Sequence, residues 1–275
     1  MAYDVKGKRV LITGASSGIG AAMARGLAER GASVGICARR EDRLVQVLAD
    51  CLVHSPDSRM WVVDLADLDT VGAFVQRAIN ELGGLDILIN NAGIPKRRTI
   101  REMKPTDVDM LMQVNYLSPV RVMLAALPTL LERGSRDQPT HIVNISSVAA
   151  RLSPPGEAAY AASKSALATF SECLAAETWD APVNVHLVNP GVVDTDLFDP
   201  TLPDNDQFIA DDVERLPPSA VLDAVLDSID SGAVETWVPP WFADVAKMKA
   251  GDINGFVEGA SQYWREKQDW RAKQD

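Results

Sequence analysis

Short β-branched apolar runs alternate along this chain with longer segments whose apolar residues recur at helical spacing, and that alternation constrains the fold more than any other feature. The first run is Arg9-Val10-Leu11-Ile12-Thr13, bounded by Gly7 and Gly14. Similar runs lie at 32–38, 60–63, 87–90, 141–146, 183–188 and 234–238. Each is short and continuously apolar, as a strand buried on both faces must be. The intervening stretches 21–30, 40–52, 68–82, 107–133, 158–179 and 219–231 carry helical periodicity. Strands separated by helices give βαβ units, and right-handed crossovers place helices on both faces of a sheet. The expected architecture is α/β: a doubly wound, mostly parallel seven-stranded sheet. No linker or repeat divides the chain, so residues 1–275 read as one domain.

Composition narrows what such a domain does. Lys and Arg total 27 against 38 Asp and Glu, a formal net charge of -11. That surface repels phosphate backbones and anionic lipid, which argues against nucleic acid as a partner. The three cysteines, Cys37, Cys51 and Cys173, form no CxxC pair. They read as reduced thiols of a cytoplasmic protein, with a surface or catalytic thiol as the alternative. The first residues hold no apolar run ahead of a cleavage site, and no stretch reaches the ~18 apolar residues of a spanning helix. No integral membrane association is expected. Two regions fall outside the alternation. Residues 196–218 are acidic and Pro-rich, with Leu197, Phe198, Leu202, Phe208 and Ile209 interspersed, and read as a substrate-binding lid. The tail, 242–275, places Ile253, Phe256, Val257, Ala260 and Trp264 at helical spacing behind Asp252, a plausible N-cap. Its tryptophans fit packing, a cover over a pocket, or docking at a membrane surface.

The first strand runs straight into Thr13-Gly14-Ala15-Ser16-Ser17-Gly18-Ile19-Gly20, and a helix follows. Backbone must turn sharply at Gly14, approach a ligand at Gly18 and pack helix on strand at Gly20. The helix N-terminus offers free N–H groups and a positive dipole end to a pyrophosphate. The sheet is therefore Rossmann-like. A glycine-rich connection without a ligand is the plainer alternative. The second strand ends Ala38-Arg39-Arg40, where an NAD site would place an acid for the ribose 2′-hydroxyl. Guanidinium groups there suit a 2′-phosphate. The expected cofactor is NADP(H) rather than NAD(H), with Arg39 the principal anchor and Arg40 a helper; the alternative is a pair of solvated side chains.

Tyr160 and Lys164 stand four residues apart in Tyr160-Ala161-Ala162-Ser163-Lys164 and share one helical face. A free phenol, with a pKa of about 10, exchanges protons poorly near neutrality. A neighbouring ammonium lowers that value. Ser147 lies upstream, and Asn115 interrupts an apolar helical pattern. Five blocks in order and spacing resemble the short-chain dehydrogenase/reductase family in its shorter form: 13–20, Asn90-Asn91-Ala92-Gly93, Asn115, Ser147 with Tyr160 and Lys164, and Pro190-Gly191-Val192-Val193-Asp194-Thr195.

The resemblance implies roles. Tyr160 is the proton donor to a carbonyl. Lys164 holds the nicotinamide ribose and lowers the Tyr160 pKa. Ser147 stabilises the carbonyl oxygen. Asn115 holds a water leading from Lys164 to solvent, a satisfied core amide being the alternative. Gly14, Ser16, Ser17, Gly18, Ile19 and Gly20 form the pyrophosphate turn. Asp64 and Leu65 meet the adenine, Asn91, Ala92 and Gly93 the adenosine ribose, and Pro190, Gly191, Val193 and Thr195 the nicotinamide end. No metal site is expected, His141 and His186 being structural. The implied activity is hydride transfer between NADPH and an apolar ketone or aldehyde, or a secondary alcohol in reverse. A 3-oxoacyl-carrier-protein reductase and a hydroxysteroid or sugar-alcohol dehydrogenase share these motifs. A non-catalytic dinucleotide sensor would be expected to have lost Tyr160 or Lys164. The family also implies a homotetramer or homodimer built on the long helices.

Overall fold

The computed structural model of this chain describes residues 3–196 and 214–271, with side chains as far as 266. The strands are β1 (Arg9–Thr13), β2 (Ser33–Ala38), β3 (Arg59–Val62), β4 (Ile87–Asn90), β5 (Thr140–Ile145), β6 (Val183–Pro190) and β7 (Glu235–Val238). They form one sheet in the order β3-β2-β1-β4-β5-β6-β7. Every pairing is parallel. The order reverses between β1 and β4, which opens a crevice beyond the strands' C-terminal ends.

The strand residues serve both faces in alternation. Val10 and Ile12 pack with Met23 of α1 (Gly18–Glu29), Leu44 of α2 (Glu41–His54) and Val225 of α8 (Pro218–Ser231). Leu11 joins the opposite layer, with Phe74 of α3 (Leu68–Leu82), Val122 of α5 (Ser118–Arg133) and Leu167 of α7 (Ala158–Glu177). That is why these strands read as unbroken apolar runs.

The helix predicted over 107–133 starts at α4 (Pro105–Met112) and passes through a π turn, Gln113–Leu117, into α5. π turns are uncommon and cluster at functional sites. This one carries Asn115, which is fully buried. By length and composition alone the helix Pro105–Arg133 is apolar enough to cross a membrane. Here it packs against α3 and α7 and buries Leu111, Met123, Ala126 and Leu130. Leu117, Leu124 and Leu131, seven residues apart, are exposed along it.

Two helices lie outside the sequence reading. A one-turn helix, α6 (Ala149–Leu152), precedes Ser153-Pro154-Pro155-Gly156. The tail starts with an unforeseen helix, α9 (Phe242–Gly251), whose periodicity is weak because it buries no residue fully. It nonetheless ties the molecule together: Lys249 Nζ donates to Arg151 O at 2.6 Å and to Ser153 Oγ at 2.8 Å. Helix α10 (Ile253–Arg271) follows, with Asp252 Oδ1 accepting from Gly255 N at 2.9 Å, the capping bond expected of it. Trp264 lines a cavity over the outer side of α7, beside Ala158, Ala161 and Ala162. The lid's apolar residues, Leu197 to Ile209, lie outside the described residues, and the side chain of Trp270 lies beyond the described side chains.

Cys37 and Cys51 are buried free thiols, pushed up to about 12 and about 11 by burial, and Cys173 is exposed. His141 and His186 are buried, with Nδ1 of the first 3.1 Å from Nε2 of the second. Burial holds both below the usual histidine range, which suits neutral core rings.

Candidate functional site

A cleft of about 690 Å³ opens at the β1–β4 reversal. The residues that build it come from six strand ends, Ile145 and Ser146 lying at that of β5. From β1 and the first turn of α1 come Gly14, Ser16, Ser17, Gly18 and Ile19; from β2, Arg39 and Arg40; after β3, Asp64 and Leu65; after β4, Asn91, Ala92 and Gly93; from the segment after β6, Thr195. Helix α7 contributes Tyr160 and Lys164.

The glycine turn is shaped by what it touches. Gly14 has a φ of +69°, and a Cβ there would stand 2.6 Å from Ala92 Cα. Gly20 lies beneath the turn, where a Cβ would meet Gly14 O and Asn91 Nδ2 at 2.5 Å, so it serves packing as expected. Gly18 lines the cleft, and the space its missing side chain leaves is taken by Thr195 Cγ2, 3.0 Å from the ideal Cβ. Its smallness lets the segment after β6 close on the turn. Ser17 caps α1 without a side-chain bond, so first-turn N–H groups stay available to an anion.

Polar side chains lock this rim. Thr13 Oγ1 accepts from Asn91 N and Ala92 N, both at 3.0 Å. Asn91 Nδ2 donates to Thr13 O at 3.0 Å and Gly14 O at 3.1 Å. Asn91 therefore joins the two strand ends with its side-chain amide. Asp64 Oδ1 accepts from Ala66 N at 3.0 Å, which leaves Oδ2 as its outward oxygen.

The two arginines differ in disposition from the expected order. Arg40 Nη2 donates to Ser17 Oγ at 2.7 Å and Ser16 Oγ at 3.0 Å, so it lies across the glycine turn. Arg39 is exposed at the cleft wall. Arg43, not foreseen, pairs with Asp196, which also lies 3.9 Å from Arg40. Burial and Arg43 pull Arg40 below its ordinary value, and Asp196 opposes them.

Tyr160 and Lys164 are 8% and 4% exposed. Lys164 Nζ donates to Ile145 O at 2.9 Å. Burial pushes Tyr160 up to about 12, aided by Glu157 and opposed by Arg97 and a hydrogen bond with Ser147. Burial lowers Lys164 to about 8. The expectation that Lys164 lowers the Tyr160 value is therefore not met in this geometry. Both groups lie in dry protein, which penalises both charged forms, and the ammonium is turned to a carbonyl. Ser146 Oγ donates to Lys164 O at 3.3 Å, so the serine free to face Tyr160 is Ser147, as its spacing implied. Ser147 Oγ accepts from Ala149 N at 3.1 Å.

Asn115 lies behind the cleft wall. Its Oδ1 accepts from Ile94 N at 2.8 Å, and its Nδ2 donates to Ile94 O at 3.1 Å and Ser163 Oγ at 3.0 Å. The amide is saturated by protein, and it pins the Gly93–Ile94 peptide against α7. Only its backbone remains for the expected water. Pro190, Gly191 and Val193 lie off the cleft lining. Val193 is buried and bridges to Leu216, and Gly191 packs against Phe242 of the tail. Residues missed by sequence reasoning include Ile94, Met110, Gln113 and Val114 on the cleft wall. The helical period predicted the faces of α4 but not the π turn that swings 113 and 114 inward. Among the described residues no three potential ligands gather as a metal site.

The model of short chain dehydrogenases matches residues 8–206. The chain belongs to the short-chain dehydrogenase/reductase family. An uncharacterized oxidoreductase of Mycobacterium bovis is 37% identical over 230 residues, 82% of this chain and 64% of that protein. The chain thus spans less than two thirds of the length of such relatives. A short-chain dehydrogenase from Burkholderia cenocepacia, solved with NADP, is 26% identical and superposes with a TM-score of 0.77 over 94% of this chain and 99% of that one. A 3-ketoacyl-(acyl-carrier-protein) reductase from Brucella melitensis, complexed with NADH, is 27% identical, with a TM-score of 0.75 over 85% and 97%.

The buried lysine makes a stability prediction for this short-chain dehydrogenase. Below about pH 8 the folded chain carries a charged, desolvated Lys164. Between about 8 and 10.5 the folded state has lost a proton that the unfolded state still holds, so stability rises with pH through this group. Lys164→Met removes that contribution. Urea unfolding of both proteins should show the variant's relative stability highest below pH 8 and declining as pH rises to 10.5; a pH-independent gap would refute the assignment.

Proposed function

We propose that this short-chain dehydrogenase is an NADP(H)-dependent oxidoreductase that interconverts an apolar ketone or aldehyde and the corresponding alcohol. The observation that carries the proposal is the burial of Tyr160 and Lys164 on one face of α7, open to the same cleft as an uncapped helix N-terminus and an arginine pair. The residues fit a dinucleotide. Gly14, Ser16, Ser17, Gly18 and Ile19 would cradle its pyrophosphate, and Arg39 and Arg40 a 2′-phosphate. Asp64 and Leu65 would meet the adenine, Ala92 and Gly93 the adenosine ribose, and Pro190, Gly191, Val193 and Thr195 the nicotinamide end. Bound there, the nicotinamide supplies or accepts hydride.

The chain's own groups handle the proton and the oxygen. Tyr160 gives its phenolic proton to the carbonyl oxygen, or takes one from the alcohol. Ser147 donates to that oxygen as charge develops. Lys164 holds ribose hydroxyls, and its charge then acts on Tyr160 in the dry site. Asn115 fixes the Gly93–Ile94 peptide behind them. The relatives' names leave both cofactor choices open, and Arg40 at the glycine turn is what favours NADP(H). The net acidic surface and free cysteines support a cytoplasmic location for one domain with a lid and tail.

Tyr160→Phe should lower turnover at least about 1,000-fold while leaving the NADPH dissociation constant within about twofold. Retained turnover would refute the proton-donor role. Replacing Arg39 and Arg40 together with serine should weaken NADPH binding about tenfold or more and leave NADH binding nearly unchanged; equal effects on both would contradict the 2′-phosphate site. The exposed side chains of Leu117, Leu124 and Leu131 support a homodimer or homotetramer through the α4–α5 helix. Light scattering should give at least twice the chain mass, and a single chain mass at micromolar concentration would contradict it.

A further inference from the structure

The loop after β4 carries three consecutive cations, Lys96-Arg97-Arg98. Lys96 Nζ lies 3.0 Å from Asp107 Oδ1 of α4, and Arg98 Nε 3.8 Å from Asp107 Oδ2. Arg97 turns instead to the start of α7. It is 3% exposed, a depth at which a guanidinium needs a partner. Its Nε donates to Glu157 Oε1 at 2.6 Å. Arg98 N adds a second tie between the same segments, donating to Gly156 O at 2.9 Å. Glu157 is the N-cap residue of α7 and stands three residues before Tyr160, one turn away.

The phenol of Tyr160 is thus flanked along its own helix by Glu157 on one side and Lys164 on the other. Ser147 reaches it from the loop after β5, and Arg97 from the loop after β4. A lone carboxylate one turn from the phenol would oppose phenolate, and a lone guanidinium would favour it. Paired at 2.6 Å, the two charges largely offset each other. We propose that Arg97 is a positioning residue that neutralises Glu157 beside Tyr160, so that neither charge alone displaces the pH at which Tyr160 exchanges its proton. The inference rests on Tyr160 being the proton donor. The direction of each influence agrees with the geometry: Glu157 raises the Tyr160 value and Arg97 lowers it.

The test compares the wild-type chain with Glu157→Gln, Arg97→Met and the double variant. The readout is the pH profile of kcat/KM for oxidation of 1-phenylethanol with NADP+, in which Tyr160 acts as base. Glu157→Gln should move the limb down by about one pH unit and Arg97→Met up by a similar amount, the double variant lying between. A merely structural role would lower the rate without splitting the limbs in opposite directions. The 13C resonance of the Tyr160 phenol carbon, assigned by its loss in Tyr160→Phe, should titrate in the same order without any nucleotide. Glu157→Gln is nearly isosteric and keeps an acceptor for Arg97, so it decides the matter even if Arg97→Met does not fold. A Glu157→Gln limb at or above that of the wild type, with turnover lost in Tyr160→Phe, overturns this inference alone. No turnover in the wild type, or turnover that persists in Tyr160→Phe, overturns the proton-donor reading and this inference with it.

Discussion

The cleft depends on one set of hydrogen bonds at the point where strand order reverses. β1 and β4 are neighbours, but the helices that leave them run to opposite faces, so their ends would splay if nothing held them. Thr13 Oγ1 takes the two N–H groups after β4, and Asn91 returns its amide to the two carbonyls after β1. Two side chains thereby satisfy backbone groups that parallel pairing leaves unpaired. The glycine turn and the Ala92–Gly93 segment take their positions from that tie. A deeper ladder supports it: Asn90 donates to Asn144 at 2.9 Å, and Asn144 to Ser171 of α7 at 2.8 Å.

Burial decides the electrostatics of the site more than any charge pair does. It raises Tyr160 and lowers Lys164, so each is pushed toward its neutral form. A dry setting strengthens every charge that does enter, which is what proton transfer to a developing alkoxide needs. It also makes nearby charges consequential, and the sequestered pair of Arg97 and Glu157 at the head of α7 is the most consequential of them. Arg40 illustrates the contrast: half exposed and crowded by Arg43, it keeps its charge toward the solvent-facing turn, where an anion would be met.

Much of the fold was legible in the sequence because local and tertiary demands agree in it. β1, α3 and β4 follow the predicted limits, since a two-sided apolar run or a strong apolar stripe leaves no alternative register. The site's chemical residues were legible through spacing, above all Tyr160 with Lys164. Hidden were the features that arise only from packing. The π turn at Gln113–Leu117 leaves the apolar period almost unchanged, so it predicts as ordinary helix. Helix α9 lacks a buried stripe and is held by Lys249 and Phe242. Gly18 lines the cleft and also makes room for Thr195, a contact that no spacing in the sequence announces. Arg97 was invisible because a cation in a basic run reads as solvated; only the fold shows it beneath Glu157.

The central claim is that this short-chain dehydrogenase moves hydride between a nicotinamide and a carbonyl carbon beside Tyr160. Incubating the chain with NADPH deuterated at the transferable C4 position and a panel of apolar ketones and aldehydes, then analysing products by mass spectrometry, tests it most directly. The account predicts an alcohol carrying one deuterium on the former carbonyl carbon, formed by the wild-type chain and absent with Tyr160→Phe. Product without label, or no product from any member of the panel with a chain that binds NADPH, would contradict it.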